Sequence, residues 1–204
     1  MTYIIIAITV IFSLIAFSNN RIFSKLTYQP FGIKYNHDGY RFFSYALIHA
    51  DLVHLFVNMF VLYSFGNVVE YFYTGLFGLK GFLYFLLLYL GGTVLSVTPA
   101  YEKHKDNPSY SAVGASGAVS AVVFASIIFN PFAPIGILFI PFSIPAIIFG
   151  ALYLIYSAYM NGKAVDNIGH DAHFWGAIFG IFFTIALKPI LVLTLYESII
   201  QKFF

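Results

Sequence analysis

The chain of 204 residues is 60% hydrophobic and 9% charged, with 25 Phe and 16 Tyr. Soluble domains carry about 25% charged residues, so the composition lies far outside that class. It has no Cys, which excludes disulfides, thiolate zinc sites and cysteine nucleophiles, and its net charge of +2 is too weak a field to suggest nucleic-acid binding.

A bilayer core is crossed by roughly 20 apolar helical residues. The stretch before Arg21 is uncharged and predicts a helix over 2–18. It lacks the basic start and the small-x-small exit of a cleaved signal peptide. The run between Asp51 and Glu70 predicts a second helix over 51–69, and that between Lys80 and Glu102 a third over 81–98. Between Asp106 and Lys163 lie 56 residues without a formal charge, enough for two spans. Asn130-Pro131, Pro134, Pro141 and Pro145 break this run, leaving helices at 112–129 and 144–160. The last span, 169–187, stops before Lys188-Pro189. In the tail, 188–204, Glu197, Gln201 and Lys202 are spaced as along an interfacial helix. The expected architecture is all-α and polytopic: one membrane domain over 1–204 with six crossings. Strands are not expected, because the runs are apolar on every side instead of alternating.

Polar groups inside a span are costly, and each calls for a reason. The second helix carries His54 and Asn58, four apart and on one face. The fourth carries Ser116 within Gly114-Ala115-Ser116-Gly117, and the sixth carries His173 followed by Gly176 and Gly180. Helices two, four and six enter from the same membrane face. His54, Ser116 and His173 each fall a few residues past a helix start, and so share a depth of one to two turns. Small residues allow helices in lipid to approach closely. Gly114, Gly117 and Ala118 flank Ser116, while Gly176-x-x-x-Gly180 flanks His173. Contact between helices four and six brings an imidazole within reach of a hydroxyl, the arrangement that activates a serine nucleophile. His54, Asn58 and the Ser116 backbone N–H are candidate oxyanion donors. No acidic residue lies in the spans to orient His173, so the expected machinery is a dyad.

These motifs resemble those of the rhomboid intramembrane serine proteases over most of the chain. Gly114-Ala115-Ser116-Gly117 is similar to that family's GxSG motif, Ala172-His173-Phe174-Trp175-Gly176 with Gly180 to its AHxxGxxxG, and His49, His54 and Asn58 to its HxxxxHxxxN. Tyr40-Arg41 stands where the family usually has Trp-Arg, in a first loop partly within the membrane, and Glu70 where members often carry Glu. The resemblance implies cleavage of transmembrane protein substrates near the lipid boundary, with Ser116 as nucleophile, His173 as base, and His54 and Asn58 supporting the oxyanion. It implies no cofactor, no metal and no nucleic-acid partner. It also implies a fifth helix, 144–160, that leans aside for substrate. Some members place an aromatic under the base one turn after the nucleophile; this chain has Ser120 there.

Other readings compete. A Gly-Ala-Ser-Gly run often serves packing alone. His49 reads as a structural tie between the first loop and helix two, and His104 and His170 as solvated loop-edge residues. His49 and His54, five apart, fall about 140° apart around a helix, which argues against a shared metal. The absence of HExxH and of any Gly-Asp dipeptide argues against zinc and aspartyl intramembrane proteases. The alternatives are a catalytically inactive, client-binding relative, disfavoured by the presence of both Ser116 and His173, and a small transporter, disfavoured because the polar residues gather near one face and no inverted repeat is visible. The positive-inside rule disfavours the family orientation: Lys80, Lys188 and Lys202 lie on its cytoplasmic side, against Arg21, Lys25, Lys34, Arg41, Lys103, Lys105 and Lys163 opposite. The family orientation is preferred because much of that excess falls in a first loop expected to be folded. A bacterial plasma membrane is the expected location.

Overall fold

A computed structural model describes residues 1–136, 142–161 and 169–203; Pro141, Lys163 and Asp166 lie outside the described residues. The first apolar run forms α1 (Thr2–Phe17). The first loop then folds into α2 (Asn20–Leu26), α3 (Pro30–Asn36), α4 (Arg41–Ser44) and a 3₁₀ turn over Tyr45–Leu47. Next come α5 (Leu52–Phe77) and α6 (Lys80–His104), both longer than the sequence predicts. α5 runs past Glu70 because that carboxylate is not left bare. It accepts bonds from the Thr2 N–H at 2.9 Å and the Thr2 Oγ1 at 2.7 Å, tying α1 to α5.

The remaining helices are α7 (Ser116–Phe129), α8 (Ala146–Met160), α9 (His170–Leu187) and α10 (Leu191–Phe203), the last being the tail expected as a helix. Between α7 and α8 the prolines do more than stop a helix. Strands β1 (Pro134–Gly136) and β2 (Ser143–Pro145) pair antiparallel with Ile135 opposite Ile144, which corrects the expectation of no strands. The all-α class stands apart from this hairpin. By length and composition α5, α6 and α9 can each cross a membrane. The equally apolar α1, α7 and α8 have 16, 14 and 15 residues.

The axis of the fold is α7, in which every residue from Gly117 to Ile128 is buried. A helix with no polar face needs neighbours all round, and α5, α6 and α9 supply them. The approach to α9 depends on missing side chains. A Cβ on Gly176 would stand 2.1 Å from the Gly117 carbonyl oxygen, and one on Gly180 2.1 Å from that of Ala121. On the α6 side, a Cβ on Gly92 would stand 2.8 Å from the Ala121 methyl, and one on Gly117 2.3 Å from Ser96 Oγ. Tyr73 of α5 and Thr184 of α9 join their hydroxyls at 2.8 Å lower in the bundle.

The first loop is held by buried polar bonds. Arg41 donates from Nε to Asp38 at 2.9 Å and from one terminal nitrogen to the Ser24 and Thr27 carbonyls at 2.9 and 2.7 Å. Its guanidinium also lies over the Tyr40 ring at 5.5 Å, so the Tyr-Arg pair preserves a loop anchor. The hydroxyls of Tyr28 and Tyr45 donate to the Val97 and Thr93 carbonyls of α6 at 2.9 and 2.7 Å.

Candidate active site

Ser116 is the first residue of α7, not a residue some way inside it. The cause is Gly114, whose φ of +112° no helix tolerates. Residues 112–115 therefore approach the helix in non-helical form, and at membrane depth such backbone is tolerated only where its polar groups are satisfied. Tyr28 and Ala112 exchange two backbone bonds of 2.9 and 3.0 Å, the Gly114 N–H reaches the Tyr45 carbonyl at 3.0 Å, and the Ala115 N–H reaches His49 Nε2 at 3.4 Å. Starting a helix at Ser116 leaves its N–H and the next two without intrahelical acceptors, and gathers the positive end of the helix dipole there.

His49 does more than tie the first loop to the top of α5. It precedes α5 and is fully buried. Its Nδ1 lies 3.0 Å from Ser13 Oγ, which itself donates to the Leu47 carbonyl at 3.0 Å. With Nε2 accepting from Ala115, Nδ1 carries the hydrogen and donates to Ser13. One neutral imidazole thus links α1, the first loop and the entry to α7. Burial, reinforced by neighbouring His54, pushes its pKa down to about 3. Because His49 stands outside the helix, the helical-spacing argument separating it from His54 fails: the two rings meet edge-on at 4.9 Å.

His54 enters on the first turn of α5, whose start Asp51 caps by accepting from the His54 N–H at 2.7 Å. The ring covers Gly114: a Cβ there would stand 2.6 Å from His54 Cε1 and 2.8 Å from Nε2. Gly114→Ala would therefore both strain the backbone and evict the His54 ring. We expect the melting temperature to fall while α-helical content stays unchanged by circular dichroism. Asn58 is buried one turn further on and donates from Nδ2 to the His54 carbonyl at 3.0 Å. The second hydrogen of that amide makes no bond among the described residues.

On the opposite side, Gly117 and Gly176 bring the α7 and α9 backbones together next to Ser116. A Cβ on Gly117 would also lie 3.3 Å from the carbonyl oxygen of Ala172, the neighbour of His173. The His173 ring stacks on Tyr153 of α8, with centroids 6.0 Å apart and planes 23° apart. The Tyr153 hydroxyl bonds Ser120 Oγ at 2.8 Å, and Ser120 shares the α7 face of Ser116, one turn on. His170 is not a solvated loop-edge residue: it is buried as the first residue of α9, edge-on to Tyr156 at 5.4 Å and to His173 at 6.1 Å. Half-buried His104 lies parallel on Tyr110 at 3.8 Å.

Residues 36–190 match the Rhomboid domain family. The chain belongs to the rhomboid family. It is also 30% identical over 139 residues to "Presenilin-associated rhomboid-like protein A, mitochondrial" of Danio rerio, an alignment covering 66% of this chain. The chain spans 34% of that relative's length, about a third. The expectation of a bacterial plasma membrane finds no support in a relative whose name is mitochondrial. Within this rhomboid chain, sequence reasoning missed Tyr153, Ser13 and Ser96. The one signal for Tyr153 was Ser120: a position where some relatives carry a ring lacks one, and α8 contains Tyr153 and Tyr156 within an apolar run.

Proposed function

We propose that the chain is a six-crossing intramembrane serine endopeptidase that cuts transmembrane protein substrates near the lipid boundary. The reading rests on one observation: the glycine contact of α7 with α9 that flanks Ser116 on one helix and His173 on the other. Tyr153, which bonds the Ser116 face of α7 and stacks on the His173 ring, links both to one cluster. His173 accepts the Ser116 proton as Oγ attacks the scissile carbonyl carbon, then gives that proton to the departing amine nitrogen. Water afterwards cleaves the acyl ester with His173 again as base. The oxyanion meets the Ser116 N–H at the positive helix end, with His54 and Asn58 beside it. No cofactor or metal takes part.

Helix length supports the depth of the reaction. The 14 residues of α7 span about 21 Å, short of a hydrocarbon core of about 30 Å. The nucleophile then sits below the membrane face, beneath the hydrogen-bonded segment 112–115. The orientation with the first loop outside is supported by that loop's folded state: Arg21, Lys25, Lys34 and Arg41, four of the seven basic residues on that side, belong to it, with Arg41 paired to Asp38 and Lys34 to Asp106.

A fluorophosphonate probe tests the reading on the whole detergent-purified protein. One probe per chain at Ser116, abolished in His173→Ala, is expected; absence of labelling and of cleavage would favour a client-binding relative. Asn58→Ala should lower turnover by on the order of 10²-fold, less than loss of Ser116, because other donors to the oxyanion remain. An effect as complete as that of Ser116→Ala would make Asn58 structural.

A further inference from the structure

Tyr153 belongs to neither of the helices that carry the two reacting groups. Resting on the dyad reading above, we infer that Tyr153 is a positioning residue that holds the His173 ring in its working plane from α8, with Ser120 as its anchor. Three observations meet there. The Tyr153 ring lies nearly parallel to His173, at 6.0 Å and 23°. Its hydroxyl is fixed at 2.8 Å to Ser120 Oγ, a buried group on the α7 face that carries Ser116. Its ring is further packed by Phe124 of α7 at 5.7 Å and by Phe149 of its own helix at 5.8 Å. A side chain gripped at both its ring and its hydroxyl has a defined plane, and an imidazole stacked on it inherits that plane.

The rest of α8 is lightly held. Of its 15 residues only Ala146, Gly150 and Ser157 are buried, while Ile148, Leu152, Ile155, Tyr156 and Tyr159 are exposed. The buried ones are small. The orientation of the base therefore depends on where α8 sits, and a displacement of α8 at residue 153 withdraws the surface on which His173 rests.

Steady-state cleavage by the full chain in proteoliposomes tests this, with Ser116→Ala fixing the background. Tyr153→Leu removes the ring and should lower kcat 10- to 100-fold with KM within twofold. Tyr153→Phe keeps the ring and loses only the anchor, and should stay within fivefold of the parent. The acid limb of the kcat–pH profile should move in Tyr153→Leu and not in Tyr153→Phe. Adding Ser120→Tyr to Tyr153→Leu supplies a ring from α7 and should restore at least part of the lost kcat. Tyr153→Leu at parental kcat, or losing activity with an unmoved pH profile and no recovery from Ser120→Tyr, overturns the positioning role alone. Parental protein no more active than Ser116→Ala overturns the protease reading itself.

Discussion

Ser116→Ala and His173→Ala should each cut cleavage of a model transmembrane substrate by on the order of 10⁴-fold or more, with the detergent melting temperature nearly unchanged. Groups that act as a unit in proton transfer lose almost everything when either is removed, so the two losses should be similar and the double variant no worse. Stability should hardly respond, for a structural reason. Ser116 opens α7 and is half-buried, with its hydroxyl making no bond that holds α7 to another helix among those described. The α7–α9 contact next to it is made by backbone and glycine, which neither substitution alters. The measurement is product formation in proteoliposomes beside thermal melting of the same preparations. Retained cutting by either alanine variant would remove that residue from the chemistry. A large drop in melting temperature would mean instead that the serine or histidine serves packing.

Gly176→Ala, like Gly180→Ala, should be among the most damaging single methyl additions in the bundle. The new Cβ would meet the Gly117 carbonyl oxygen at 2.1 Å, whereas ordinary contact begins at 3.4 Å. That atom is backbone in the middle of a buried junction and cannot rotate away, so α9 must retreat from α7 by about 1 Å. Overpacking of this kind costs about 1–3 kcal/mol, and a 1 Å error between reacting groups costs on the order of 10²-fold in rate. We therefore expect a lowered melting temperature and a fall in kcat of at least 100-fold. Gly75→Ala is the control: a Cβ there meets nothing within 4 Å, and alanine is the better helix former, so stability should hold or rise. Equal losses in both variants would show that the α7–α9 contact is not special.

Much of this is legible without coordinates because it follows from one-dimensional rules. Charge-free runs separated by Lys, Glu and Pro locate six apolar helices, of which α5, α6 and α9 are long enough to cross a membrane. The approach of α7 to α9 follows from Gly176-x-x-x-Gly180 opposite Gly117, since backbones meet closely only where side chains are missing. The first loop was less legible: its short helices are held by long-range bonds such as Tyr28 to Val97 and Arg41 to Ser24, which leave no periodic trace.

The sequence by itself determined the helical class and the order of the apolar helices, because those follow from composition and chain distance. Tertiary structure alone decided that α7 begins at Ser116, since that depends on the positive φ of Gly114 and on acceptors supplied by Tyr28, Tyr45 and His49. It alone decided that His170 is buried and that the ring beneath His173 comes from Tyr153 of α8. Which side chain fills a space between three helices depends on their lateral arrangement, and no spacing along one chain encodes that.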